Sequence, residues 1–242
     1  MGRSRGCLVE CRECTGKAVG EMMTAKKNKI KMVLTRLVSY LPTNTLRLMG
    51  YRLFSYSFGQ GCKVDWGVWI CVDGFTAGNK LSIRRRTRIL GPISVDFKNN
   101  VLVGRGNRIE CGWSAADPSN ASKNYARSFK VGENCLLHED HLFDVYGSIH
   151  IDDGSWVAGF ASQFLTHGAS AVDRDIYIGK SCYVGSAVRF APGASIGNEC
   201  IVGMGAVVTK KLEDDRCILG GVPARVLRQR EADDAFVFVK AW

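Results

Sequence analysis

Residues 176–208 read IYIGKS CYVGSA VRFAPG ASIGNE CIVGMG AVV when broken every six positions. The third letter of each block is Ile178, Val184, Phe190, Ile196, Val202 and Val208, and a glycine or alanine follows each of the first five. The first letter is mostly small or branched: Ile176, Cys182, Val188, Ala194, Cys200 and Ala206. A helix repeats its side-chain directions every 3.6 residues and a strand every two, so neither sustains six unbroken steps of this period. A coil with three short flat faces does. Every sixth side chain then enters a triangular core, and glycine relaxes each corner. The chain is therefore expected to be mainly β, a parallel β-helix solenoid.

Upstream the period survives in fragments. Val131, Leu137, Phe143 and Ile149 keep it, and Ile151 and Val157 resume it two residues out of phase. Earlier pieces are Val103 with Ile109, then Ile83, Ile89 and Val95, then Val64 with Ile70. Loops should leave the coil between fragments, and the polar, aperiodic residues 112–128 read as one. Ahead of the coil, Ile30, Val33, Leu34, Leu37, Val38 and Leu41 recur at helical spacing and form one apolar stripe. Pro42 closes that segment, and Thr43 or Asn44 is placed to cap a second helix carrying Leu46, Met49, Leu53 and Phe54. Such a segment either lies on a membrane surface or covers the open end of the coil; the second is slightly favoured, because an open solenoid end needs covering. The expected organisation is a basic N-terminal extension and helical cap over 1–58, the coil over 59–211 with loop 112–128, and a C-terminal tail over 212–242.

Composition narrows the class. The 27 glycines against 5 prolines in 242 residues suggest many regular tight corners rather than a disordered tract. No run approaches the roughly 20 apolar residues a spanning helix needs, and no secretory leader pattern opens the chain. Of the net charge of +10, much sits in residues 1–60, which hold eleven Lys and Arg against three Glu. A basic end attracts nucleic acid or an anionic membrane face. Nothing downstream matches a zinc finger, a basic zipper or an aromatic RNA-binding signature, so no nucleic-acid partner is expected, and peripheral membrane contact through the basic N-terminus stays open. Ten cysteines do not form a disulfide framework. Cys7, Cys11 and Cys14 have the spacing of the cluster-binding motif of radical enzymes that cleave S-adenosylmethionine, yet no alternation of strands and helices follows. Cys182 and Cys200 occupy positions for small apolar residues and should pack as such, which fits a reducing, cytoplasmic setting.

On these residues the chain resembles the hexapeptide-repeat acyltransferases, most closely the maltose/galactoside O-acetyltransferases and those that decorate capsular polysaccharides and exopolysaccharides. The resemblance is carried by Ile178-Gly179, Tyr183-Val184-Gly185-Ser186, Ala191-Pro192-Gly193, the run from Val202 to Lys210, and Gly221-Val222-Pro223-Ala224-Arg225. It is strong over 129–229, weaker over 60–128, and does not reach 1–58. It implies a left-handed coil, acetyl-CoA as acyl donor, a sugar or glycan acceptor, and homotrimers with active sites between neighbouring subunits. Thr166-His167-Gly168 stands where the family carries its catalytic histidine. A second consideration points to the same residue: at about 18 residues per coil, His167, Gly185 and Gly203 would stack ~4.8 Å apart and leave a side-chain-free strip for a pantetheine arm. The chemistry needs a base, because a sugar hydroxyl is barely ionised at neutral pH, and histidine can take its proton and return it to the leaving thiolate. The family's coenzyme-binding positions fall on Ser186, Met204, Thr209, Lys210, Arg225 and Arg228. Lys and Arg supply the donors that a pyrophosphate and a 3′-phosphate require. Met204 departs from the usual alanine. Asp144 corresponds to an acidic residue near the acceptor. Only about ten residues separate His167 from Ile178, a shorter loop than in branches that acetylate small free sugars, which suits a larger glycan or a lipid-linked sugar.

Three alternatives stay open at this point. An amino sugar could be the acceptor, since a neutral amine attacks a thioester with little help. A zinc enzyme of the γ-class carbonic anhydrase kind, its metal held at a subunit interface, could draw on the four histidines, His138, His141, His150 and His167. A trimeric scaffold could keep the coil without the chemistry. The basic C-terminal residues and the Gly221–Arg225 segment favour the coenzyme reading, and no metal is expected.

Overall fold

The six-residue period becomes three stacked columns of side chains. A computed structural model describes residues 28–168 and 171–231. On a first face, Val64, Ile83, Val103, Leu137, Val157, Val184, Val202 and Leu219 pair in turn, every pair parallel. A second face carries Ile70, Ile89, Ile109, Phe143, Phe164, Phe190 and Val208. A third carries Ala77, Phe97, Val131, Ile151, Ile178, Ile196 and Leu212. The second and third faces share one 13-stranded sheet and the first face heads a 9-stranded one. Together they enclose a single core, as a parallel β-helix does. Within it, Phe143 stacks on Phe164 at 4.7 Å and Phe164 on Phe190 at 5.0 Å, each pair adding about 0.5–1.5 kcal/mol beyond its burial.

The two-residue phase slip is real. Ile149 and Ile151 both enter the core on the third face, opposite Phe129 and Val131 one rung below. From second-face to third-face core residue, Ile89 to Phe97 and Phe143 to Ile151 therefore span eight residues, against six from Phe190 to Ile196. Past Val208, where the period lapses, Cys217–Gly220 forms a further rung on the first face, and Arg225–Gln229 pairs with it antiparallel.

Each corner has its own chemistry. Between third and first faces, thiols and one hydroxyl donate to the carbonyl of the next rung: Cys62 to Gly78, Cys135 to Asp152, Ser155 to Gly179, Cys182 to Gly197 and Cys200 to Asp214. Cys182 and Cys200 are buried, as expected of small core residues, and they also staple rungs together. Between first and second faces runs a buried polar column of Thr87, Asn107, His141 and Ser162. Asn107 accepts from the His141 backbone, and His141 Nδ1 accepts from the Ser162 backbone. Long insertions leave only the corner between second and third faces. Residues 112–127 do so with 3-10 turns at Trp113–Ala116 and Pro118–Lys123, and residues 166–175 do so two rungs above. We call this the loop corner, and the one between first and second faces the glycine corner.

The N-terminal segment holds a helix over 28–39 (α1) and one at Asn44–Arg52 (α2). Thr43 caps α2 by accepting from Leu46 N. This helix and the turn after it close the open edge of the first rung. Asn44 pairs with the Cys62 carbonyl and the Val64 N–H, and Arg47 donates to the Val64 carbonyl. Tyr51 and Tyr56 each use the phenol to bridge edge groups, Val68 O with Ile70 N and both backbone groups of Val72. An unpaired strand edge is thereby satisfied by side chains. The apolar stripe of α1 does not pack against the coil. Ile30, Val33, Leu34 and Leu37 are exposed, while Thr35 and Ser39 are buried. The cause is local hydrogen bonding: Thr35 accepts from the Trp69 indole, the Ser39 carbonyl accepts from Gly67 N, and Lys31 donates to the Val72 carbonyl. The polar side of α1 is thus spent on the outer surface of the Trp69–Ala77 strand.

Candidate active site

The loop corner builds a cleft of about 460 Å³ lined by Arg108, Glu110, Cys111, Gly112, Leu142, Asp144, Tyr146, Leu165 and His167. Its floor is the outer surface of the second face. Arg108, Glu110, Leu142, Asp144 and Leu165 flank the core residues Ile109, Phe143 and Phe164, so strand alternation turns them outward. Its walls are the starts of the two insertions.

Thr166 organises the corner. It is fully buried, and its hydroxyl receives the N–H groups of Tyr146 and Gly147 at 2.9 and 2.8 Å while donating to the Asp144 carbonyl. The next residue, His167, emerges exposed with its ring stacked on Tyr146, centroids 4.5 Å apart and planes 23° from parallel. Tyr146 also meets Tyr125, edge-on at 5.0 Å, and the Arg174 guanidinium lies 5.1 Å from the Tyr125 ring centroid. The two insertions therefore meet through an Arg–Tyr–Tyr–His stack. Asp175 accepts from Ser148 N at 2.7 Å, and Asp173 pairs with Lys211 at 3.0 Å, tying down the far end of the upper loop.

Burial pushes the Asp144 carboxyl above its ordinary range, and the His167 ring and backbone N–H beside it pull part of the way back. Burial, reinforced by the Asp144 charge, pushes the Cys111 thiol up to about 12, so it stays a neutral thiol. Glu110 lies between Arg108 at 2.7 Å and Arg88 at 3.8 Å, which leaves the cleft floor with fixed charges of both signs. Among the described residues no group of three or more His, Cys, Asp or Glu could hold a metal ion. His141 is buried in the glycine-corner column, His138 Nδ1 contacts the Gly159 carbonyl, and His150 packs edge-on against Tyr177 on the third face. Cys7, Cys11 and Cys14 lie outside the described residues.

The anticipated column of His167, Gly185 and Gly203 is not formed. Phe164 pairs with Phe190, 26 residues on, whereas Phe190 pairs with Val208, 18 on. The insertion after His167 lengthens that coil, so the rungs above the histidine carry Pro192-Gly193 and then the Thr209-Lys210-Lys211 corner. Gly185 and Gly203 follow Val184 and Val202 on the first face and belong to the glycine corner. The remaining candidates divide the same way. Thr209 and Lys210 are exposed on the loop corner, two rungs above His167. Ser186 and Met204 stand at the glycine corner, where the Ser186 carbonyl accepts from Gly205 N, and Met204 is 83% exposed. A Cβ on Gly205 would meet nothing within 4 Å, so the strip beside Met204 is bare. Arg225 begins the terminal strand after the Val222-Pro223 turn, and Arg228 lies opposite Ile218. Only Asp144 shares the cleft with His167. Tyr146, Cys111, Arg108 and Glu110 were missed from sequence; their signal was their position beside core residues, visible only once the long insertion is assigned to a corner.

Residues 175–210 match the family model described as bacterial transferase hexapeptide (six repeats). The chain is 35% identical over 150 residues to the galactoside O-acetyltransferase of Escherichia coli K12, covering 62% of this chain and 64% of that one, so it spans less than two thirds of that relative's length. It is similar to a hexapeptide-repeat-containing acetyltransferase of Vibrio cholerae solved with acetyl coenzyme A, at 16% identity and TM-score 0.48 over 85% of this chain and 88% of that one. A maltose O-acetyltransferase from Clostridium difficile 630 is similar at 21% identity and TM-score 0.46 over 86% and 89%.

Proposed function

We propose that this chain is an acetyl-CoA-dependent O-acetyltransferase that moves an acetyl group to a hydroxyl of a sugar or polysaccharide precursor, with His167 as general base. The observation that carries the reading is the exposed His167 imidazole, held on the Tyr146 ring at the mouth of a cleft that also contains the Asp144 carboxyl. The similarity to galactoside O-acetyltransferase supports the substrate class. His167 would take the hydroxyl proton as the oxygen attacks the thioester carbon. As the C–S bond breaks, the same proton would pass to the coenzyme A sulfur. Such a base contributes roughly 10²–10⁴-fold. Asp144, beside the ring, would stabilise the imidazolium formed in between.

The residues at the upper rungs fit the donor. Lys210, Arg225 and Arg228 carry the charges its phosphates need, Thr209 adds a hydroxyl beside Lys210, and the bare strip beside Ser186 and Met204 would admit a pantetheine arm. Because these groups divide between the loop corner and the glycine corner, we take the working unit to be a homotrimer in which one subunit's His167 corner faces a neighbour's glycine corner. The short loop after His167 leaves the cleft open to a large glycan. A cytoplasmic site of action fits the free thiols and the thioester donor.

The test is thiol release from acetyl-CoA across a panel of mono-, di- and oligosaccharides and amino sugars. The reading predicts acceptor-dependent release abolished in His167→Ala, with oligosaccharides preferred. Release that is acceptor-dependent but indifferent to His167→Ala would defeat the assignment of the base, and exclusive use of amino sugars would replace O- by N-acetylation.

A further inference from the structure

The apolar side of α1 faces away from the protein. Thr35 and Ser39 are 0% exposed, whereas Leu37 is 62% exposed and Ile30, Val33 and Leu34 lie beside it on the same face. On α2 and just after it, Leu46, Met49 and Leu53 are also exposed, Leu53 at 86%. At the end of α1, Tyr40 and Trp66 pack edge-on at 4.9 Å, with Trp66 58% exposed and its indole N–H given to the Tyr40 carbonyl. Soluble chains seldom leave so many large apolar side chains together in water.

Charge selects the partner. From Met22 to Val64 the sequence contains eight Lys and Arg and no Asp or Glu. Of these, Lys29, Arg52 and Lys63 are exposed. An apolar stripe with an aromatic pair at its margin and cations outnumbering the neighbouring carboxylates Asp65 and Asp73 is the pattern of an interfacial helix on anionic lipid. A second copy of the same surface would bring cation against cation. No helix among the described residues is long and apolar enough to cross a membrane, so the contact is one of lying on the surface.

We propose that α1 and α2 dock this chain on an anionic lipid surface. α1 covers the outer side of the second face at its first rung, and His167 lies on the same face four rungs further, ~19 Å away at the usual strand spacing. That reach would bring the cleft to a glycan carried on a lipid, a consequence that rests on the acetyltransferase reading; the docking itself does not.

Sedimentation of the intact protein with vesicles tests it. The wild type is expected to bind phosphatidylglycerol-containing vesicles and to leave pure phosphatidylcholine vesicles in solution, with binding weakened by salt. Leu37→Glu/Leu53→Glu is expected to lower the partition coefficient at least roughly tenfold, and Lys29→Glu/Lys63→Glu to lower it on anionic vesicles alone. Both variants should keep the circular dichroism spectrum and the rate on a soluble acceptor, since every changed residue is exposed and far from the cleft. Equal partitioning of wild type and Leu37→Glu/Leu53→Glu would overturn the proposal. So would a wild type that ignores anionic vesicles while Leu37→Glu/Leu53→Glu splits an oligomer, which would assign the face to a second copy. Vesicle binding needs no acetyl transfer, so failure of either reading leaves a separate trace.

Discussion

Replacing Thr166 by valine tests whether one buried hydroxyl holds the candidate site together. Valine keeps the shape but removes the oxygen that serves Tyr146 N and Gly147 N at 2.9 and 2.8 Å. A buried N–H left without a partner costs about 1–3 kcal/mol. The Gly147 group is fully buried and bears the whole penalty; the Tyr146 group is partly buried, and water recovers some of its share. The sum is about 3 kcal/mol, which for a chain of this length lowers Tm by roughly 6–12 °C. Thermal and urea unfolding of wild type, Thr166→Val and Thr166→Ser would measure it. Serine retains the oxygen, so it should stay within about 1 kcal/mol of wild type. Because the same turn carries Tyr146 beneath His167, kcat/KM should fall in the valine variant and recover in the serine one. A valine variant as stable as wild type, or a serine variant as weak as valine, would refute the reasoning; the second outcome would show that the methyl group matters as much as the hydroxyl.

Other expectations follow from the same geometry. His167→Ala should cut kcat by roughly 10²–10⁴-fold while leaving Tm unchanged, since the ring is exposed; matched losses in both would point to a structural role. Lys210→Ala and Arg225→Ala should each raise KM for acetyl-CoA roughly tenfold at unchanged kcat, and a fall in kcat at saturating donor would contradict a binding role. Burial lowers the His141 pKa to about 4. The unfolded chain then binds the extra proton between about pH 6.5 and pH 4, so stability is full above that window and falls by up to about 3 kcal/mol through it; His141→Gln should flatten this limb in urea titrations at stepped pH. Gly91 has φ +119°, and a Cβ there would overlap the Cys111 carbonyl oxygen, so Gly91→Ala should lower Tm sharply and distort the cleft wall, as calorimetry and the thiol-release assay would register.

The coil was readable because its upper rungs obey one rule without exception. From Ile178 to Val208 each core position is an independent report of the same geometry. The site was less readable because it is built where the rule breaks. His167 was found through its neighbours Thr166 and Gly168, yet its rung was misjudged, since no period shows how many residues an insertion adds to a coil. Asp144 lines the same cleft as His167 across a phase slip that only strand pairing resolves. Tyr146 and Cys111 carried no motif. The direction of α1 stayed open for a different reason: helical spacing shows that one side is apolar, not which side faces the protein. That was decided by Thr35, Ser39 and Lys31, three polar residues that found backbone and indole partners on the first rung.

The terminal strand Arg225–Gln229 has a meaning beyond the donor. A parallel coil has no natural length, because each completed rung presents the same row of N–H and C=O groups that accepted it. Growth stops here by a reversal of direction: the last rung at Cys217–Gly220 is occupied by a strand running the other way, all five of whose residues are exposed. A chain cut after Gly220 would leave this one edge unblocked, while the first rung stays covered by α2 and the two tyrosines, so two cut chains could pair through that edge but not add end to end. The short strand proposed to offer cations to a phosphate thus also serves as the cover over the coil's last open edge.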